Sequence, residues 1–250
     1  MNNLAQKTGS FFLAGIILVG CFVASYYVTE GNELLKTSSV PLRLLAAQGV
    51  SALIALGALW LFSRWTPALG FHPPRIGLAS RRDWLYGLGA MLVLYTLHHA
   101  FVMARDQQQE AWMAQIMAMD WMSFVLLAVV STTVVPLNEE LLFRQVLPGM
   151  PAQPLAKLMG ATLFRVALAI WLFWFVHTQY EHTSTRLLVG AVGAVCMWAR
   201  WRTGGLALPI ALHGFASALA FGFNALYWGD LGFGAKTPAF SLMGLYKSIT

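Results

Sequence analysis

The sequence predicts an all-α protein, a polytopic bundle of about seven transmembrane helices forming a single domain over residues 1–250. Two observations lead there. The 250 residues are 58% hydrophobic and only 10% charged, with a mean hydropathy of +0.63, outside the range of soluble globular chains. Apolar runs near or above the ~18–20 residues needed to cross a bilayer recur along the chain. The net charge of +6 does not point to nucleic acid, because the Lys and Arg residues sit mostly in short loops, where they set topology. Cys21 and Cys196 both fall inside expected spans, so no disulfide framework is indicated. The first apolar run lacks a small-residue cleavage site and is followed by further spans, so it reads as a helix and not a removed signal peptide.

The first span is expected over residues 11–28 and the second over 40–62, with a polar loop carrying Glu30, Glu33 and Lys36 between them. A basic loop with Arg64, Arg75, Arg81 and Arg82 and the turn signal HPPR follows. The third span covers 84–104, and its His98 and His99 are placed at the outer interface. The polar link RDQQQEAWMAQIMAMD (105–120) reads as an interfacial helix. The fourth span, 121–147, has Pro136 just before two carboxylates, where it should kink the helix and free a backbone carbonyl. PGMPAQP then breaks the pattern, with a turn centred near Leu158. A fifth span ends at His177, a short sixth covers 187–199, and a seventh covers 205–228. Arg165 is expected to snorkel toward the inner face. Glu181 and His182 are expected in a solvated loop, and the tail to Thr250 at the surface.

Loop charge sets the orientation. With the N terminus in the cytoplasm, inner loops hold Lys7, Arg64, Arg75, Arg81, Arg82, Lys157, Arg200 and Arg202, and outer segments hold Lys36, Arg43, Arg105, Arg186, Lys236 and Lys247. Four of the inner residues crowd one short loop, as the positive-inside rule requires. The expected location is a bacterial plasma membrane.

Charge at membrane depth is the functional signal, since each such group costs a few kcal/mol and is kept only when paired or used. Glu140 and Arg144 lie on one helical face at i and i+4, which makes them a structural ion pair. Glu139 points roughly 100° away and has no partner in its own helix. His177 follows Phe173 by one turn, and His213 precedes Ser217 by one turn. Helical rise puts His213 roughly 14 Å and His177 roughly 15 Å from the inner face, so the three sets can meet in one layer.

EELLFR (139–144), FWFVH (173–177) and HGFAS (213–217), in this order on successive membrane helices, resemble the motifs of the CPBP family. That family comprises CAAX prenyl proteases and bacteriocin-processing enzymes, also called Abi, and the resemblance covers roughly the second half of the chain, with the catalytic core expected over about 121–228. It implies a glutamate-type intramembrane protease. Ser217 departs from the family pattern, which has Asn or Asp there; a hydroxyl has one donor where an amide has two.

The chemistry expected of this set is peptide hydrolysis by an activated water. Glu139 would act as general base, His177 would position the water, and His213 with Ser217 would face the developing oxyanion. Glu140, Arg144 and Phe173 would support the site, with no cofactor. One Glu and two His also match the ligands of catalytic zinc sites, which keeps a metal reading open. Ser217 or a Cys as nucleophile lacks a third orienting group. Two other function classes share these residues: a non-catalytic immunity or scaffold protein, and a transporter using Glu139 and the histidines as a proton relay. The expected partners are the bilayer and a membrane-anchored protein or peptide substrate, whether a prenylated tail, a bacteriocin leader or another anchored peptide.

Overall fold

A computed structural model of the protein describes residues 3–65, 73–147 and 160–228. The turn expected near Leu158, the whole PGMPAQP break, part of the basic loop and the tail lie outside them. The described residues fold into helices α1 (Asn3–Glu30), α2 (Glu33–Lys36), α3 (Val40–Trp65), α4 (Arg81–Ala104), α5 (Ala111–Met117), α6 (Trp121–Glu140), a π-helical continuation over Leu141–Val146, α7 (Gly160–Val176), α8 (Thr183–Thr203) and α9 (Ala207–Trp228). No strand occurs among them.

Five stretches are long and apolar enough to cross a membrane: Gly9–Glu30, Val40–Trp65, Arg81–Ala104, Trp121–Val146 and Ala207–Tyr227. Their outer faces carry large exposed apolar side chains such as Phe12, Leu53, Leu97 and Met122, the side chains a lipid-facing surface needs. The protein is an integral membrane protein. α7 is shorter and mostly apolar, with Arg165 its one charged residue, and α8 ends in Arg200 and Arg202. Both are held by packing: α8 lies against α4, α7 and α9 and offers Gly193 and Cys196 to the interior, small residues that let helices approach in lipid. α1 packs on α3, α3 on α6, and α6 on α9.

One end of the bundle is tied by backbone. Gly204 closes α8 in the left-handed region at φ 67°. The first N–H groups of α9 find acceptors in the preceding loop: Leu206 N–H donates to the Arg75 carbonyl (2.8 Å) and Ala207 N–H to that of Ile76 (3.0 Å). A Cβ on Gly205 would stand 2.2 Å from the Ile76 oxygen, so only glycine allows this crossing. Ser80 and Asp83 form a capping box at the start of α4, and Arg202 reaches the same Asp83 carboxylate at 2.8 Å.

Several placements differ from the sequence reading. The 187–199 span is longer, Thr183–Thr203, because its polar ends continue the helix. Arg200 is buried, donating to Gln145 Oε1 at 2.8 Å. His99 lies inside the bundle, stacked on Phe223 with ring centroids 4.5 Å apart, because its helix face meets α9. Arg165 donates to Ser10 Oγ at 3.0 Å. Glu181 is exposed as expected, but its N–H and that of His182 donate to the buried Glu110 carboxylate at 2.7 and 3.2 Å. That contact docks the α5 region onto the turn before α8. The 105–120 link does carry a helix, α5.

Candidate active site

α6 carries the site, and its hydrogen-bond register changes there. Pro136 has no N–H, so the Thr132 carbonyl loses its helical donor. α9 comes close at that point: a Cβ on Gly214 would lie 2.4 Å from the Thr132 oxygen. Beyond Glu140 the helix widens to π form, with Leu147 N–H donating to the Leu142 carbonyl five residues back at 2.9 Å. Such π segments favour functional sites. The sequence reading places a kink at Pro136 within a span over 121–147; the structure adds a change to π form directly after the two carboxylates.

Glu140 and Arg144 are almost fully enclosed, at 0% and 1% side-chain exposure, with Oε2 and Nε 3.0 Å apart. The two atoms are close enough for an ion pair but not aligned as a hydrogen bond. Arg144 gains two further supports: Nη2 donates to the Gly193 carbonyl at 3.0 Å, and the guanidinium lies 4.5 Å from the Phe173 ring centre, a cation–π contact. Gly193 also makes room for the ring, since a Cβ there would come within 2.9 Å of Phe173.

Glu140 also holds His213, whose Nδ1 lies 2.9 Å from Glu140 Oε1. A carboxylate only accepts, so Nδ1–H donates and Nε2 points away from Glu140. His177 is set in the same way: its Nδ1 lies 2.5 Å from the Phe173 carbonyl, again leaving Nε2 free. Both Nε2 atoms converge on Glu139 Oε2, His213 at 3.7 Å and His177 at 3.8 Å. That oxygen is buried and has no hydrogen-bond partner. Glu139, Glu140, Arg144, Phe173, His177 and His213 therefore meet as one cluster.

The cluster borders a cavity of about 330 Å³, in the size range of small-molecule and peptide-side-chain pockets. Ser217 lines it, half-buried, with no hydrogen bond to another described residue. The metal reading fits less well. Separations of 3.7 and 3.8 Å exceed the ~3.3 Å edge of a tetrahedron built on zinc distances of about 2.0–2.1 Å. Among the described residues, no group of three or more His, Cys, Asp or Glu is arranged to hold a metal ion.

Sequence reasoning missed five contributors: Glu140 as the partner of His213, Gly193, Gly214, and Asn138 with Gln48 in the cavity wall. Gln48 did leave a signal, as a lone amide in the apolar run of α3.

Fold and site together define a membrane-embedded helix bundle with a carboxylate–imidazole cluster facing an internal cavity. Residues 121–229 match the model of the Rce1-like family, described as type II CAAX prenyl endopeptidase Rce1-like; this is the family grouping that the three motifs resemble. At family level the match supports a CAAX protease-type function. The chain is also similar to an Escherichia coli protein described as an uncharacterized 24.3 kDa protein, 28% identical over 179 residues, which cover 71% of this chain and 79% of that one. No solved structure matches.

Proposed function

We propose that the protein is an intramembrane endopeptidase that hydrolyses a peptide bond of a membrane-anchored protein or peptide, using a water activated by Glu139. One observation carries the reading: Glu139 presents an unpartnered oxygen to two imidazole Nε2 atoms whose rings are each pinned through Nδ1. In the proposed reaction Glu139 takes a proton from water as the oxygen attacks the scissile carbonyl, then returns it to the leaving amine. His177 holds the water against Glu139. His213, protonated at Nε2, gives an N–H to the oxyanion, with Glu140 fixing its ring as the aspartate of a serine-protease triad fixes histidine. Ser217 supplies a second donor. No step passes through a metal. The N terminus and the Arg75–Arg82 region are proposed to face the cytoplasm of a bacterial cell.

The test is mass spectrometry of a fluorescent S-farnesyl peptide ending Cys-Val-Ile-Met, incubated with detergent-purified protein, beside peptide profiling of membranes that contain wild type or Glu139→Gln. A product made by wild type alone, unaffected by a zinc chelator, is the expected result. Equal products from both proteins would sink the glutamate mechanism. Loss of cleavage with chelator and its return with zinc would replace it by a metal mechanism.

A further inference from the structure

The residue before Glu139 makes a contact that the hydrolytic chemistry does not use. Asn138 is 4% exposed, and its Nδ2 donates to Gln48 Oε1 of α3 at 2.5 Å. Its own Oδ1 is buried and accepts no hydrogen bond. Gln48 is half-buried and borders the same cavity as Glu139, His177 and His213. Its Oε1 is occupied by Asn138, while its Nε2 donates to no other described residue. An amide pair between two membrane helices that satisfies only part of its hydrogen-bonding capacity is costly compared with two apolar side chains. The one interhelical hydrogen bond accounts for helix packing, but it leaves Gln48 Nε2 and Asn138 Oδ1 unused.

A peptide bond is the complement of what the pair offers. With Gln48 Oε1 taken up by Asn138 Nδ2, Gln48 Nε2–H₂ is the free donor of the pair at the cavity wall. Gln48, Asn138 and Glu139 line the same cavity, so a substrate strand that passes the proposed base can meet Gln48. Most of the other cavity-lining side chains are apolar, among them Leu44, Ile116 and Phe221, and they offer an extended backbone no hydrogen bond. We infer that Gln48, positioned by Asn138, binds a backbone carbonyl of the substrate and holds the chain in register with Glu139. The inference rests on the hydrolase reading for the identity of the ligand as a peptide. It makes Gln48 a binding residue and Asn138 its positioning residue, neither of them part of the proton transfers.

Binding can be separated from cleavage. In the Glu139→Gln background, the fluorescent S-farnesyl peptide is titrated in detergent and its Kd read by anisotropy. Adding Gln48→Glu keeps the acceptor for Asn138 but replaces the amide donor by an oxygen, and should raise Kd about tenfold, the scale of one lost hydrogen bond. Gln48→Met should do the same without adding charge. In the otherwise wild-type protein both should raise KM by a similar factor and leave kcat within about twofold, with the melting temperature retained for at least one of them. An unchanged Kd in a folded Gln48 variant overturns the proposal. So does absence of peptide binding by Glu139→Gln, because a site that reads the backbone does not depend on the probe's side chains. Failure of the hydrolase reading looks different: Glu139→Gln would then cleave like wild type, while the Kd comparison keeps its meaning.

Discussion

Glu139 and Glu140 share a peptide bond but have different partners. Glu140 is enclosed by Arg144 and His213, whereas Glu139 faces two imidazoles without a hydrogen bond. Glu139→Gln keeps shape and burial, so cleavage should disappear while yield and melting temperature stay near wild type, measured as turnover per folded molecule in detergent. Glu140→Gln strands the Arg144 charge, and breaking a buried pair costs about 3–5 kcal/mol; a lowered melting temperature is expected. The His213 contact adds a second effect, since an amide that turns its oxygen to His213 must turn its NH₂ to Arg144. Turnover per folded molecule should therefore fall at least about tenfold, a loss that ion-pair stability alone would not produce. The reverse pattern, Glu140→Gln folded but dead and Glu139→Gln active, would exchange the two roles. Ser217 is the remaining residue-scale question: Ser217→Ala should lower turnover about tenfold or more if the hydroxyl serves the oxyanion, and Ser217→Asn should retain or raise it. Unchanged turnover in the alanine variant removes Ser217 from the site. The Glu140–Arg144 pair was legible because i,i+4 spacing fixes neighbours within one helix. The Glu140–His213 bond spans 73 residues, and no local spacing announces it.

At the scale of elements, Pro136, the π segment and Gly214 work together. Removing one N–H at Pro136 leaves the Thr132 carbonyl without its helical partner, and Gly214 lets α9 close onto that same carbonyl. This contact lies one residue from His213 on α9 and eight from Glu140 on α6, so it sets how closely the two approach. Gly214→Ala places a methyl 2.4 Å from a backbone oxygen, which cannot swing aside as a side chain could. α9 must move off α6, at a cost of about 1–3 kcal/mol, and the His213–Glu140 bond should lengthen. Thermal melting and turnover per folded molecule should both drop; a variant that melts and cleaves like wild type would show that this approach is not what positions His213. Pro136 and its freed carbonyl could be read from sequence, because proline's missing donor is a covalent fact. The π segment could not. LLFRQV carries no compositional mark of π form, and its signature is a hydrogen-bond register that packing decides.

For the whole molecule, apolar period and length sufficed to find the seven long helices, α1, α3, α4, α6, α7, α8 and α9, since a bilayer imposes those lengths. They did not show which polar groups turn inward. Arg200 was counted with the loop charges, yet it is buried against Gln145, and His99 was placed at an interface, yet it stacks on Phe223. Both lie on helices whose partner faces only the assembled bundle defines. Removing Arg200 from the inner loops leaves the orientation resting on the basic stretch that leads into α4, whose Arg75, Arg81 and Arg82 are all exposed. The structure ties that stretch to the turn between α8 and α9 through Arg75, Ile76 and Gly77, so both must face the same side. Topology is therefore testable at two places that must agree. Single cysteines at Leu78, almost fully exposed, and at exposed Arg202, each in a background with Cys21 and Cys196 replaced by Ala, should resist a membrane-impermeant maleimide in intact cells and label after permeabilisation. A cysteine at Lys36, at the other end of α3, should label in intact cells. Labelling of Leu78 and Lys36 from the same side would break the span assigned to α3. Labelling of Leu78 and Arg202 from outside, with Lys36 protected, would invert the whole protein and put the positive stretch on the outer face, against the charge rule that orients it here.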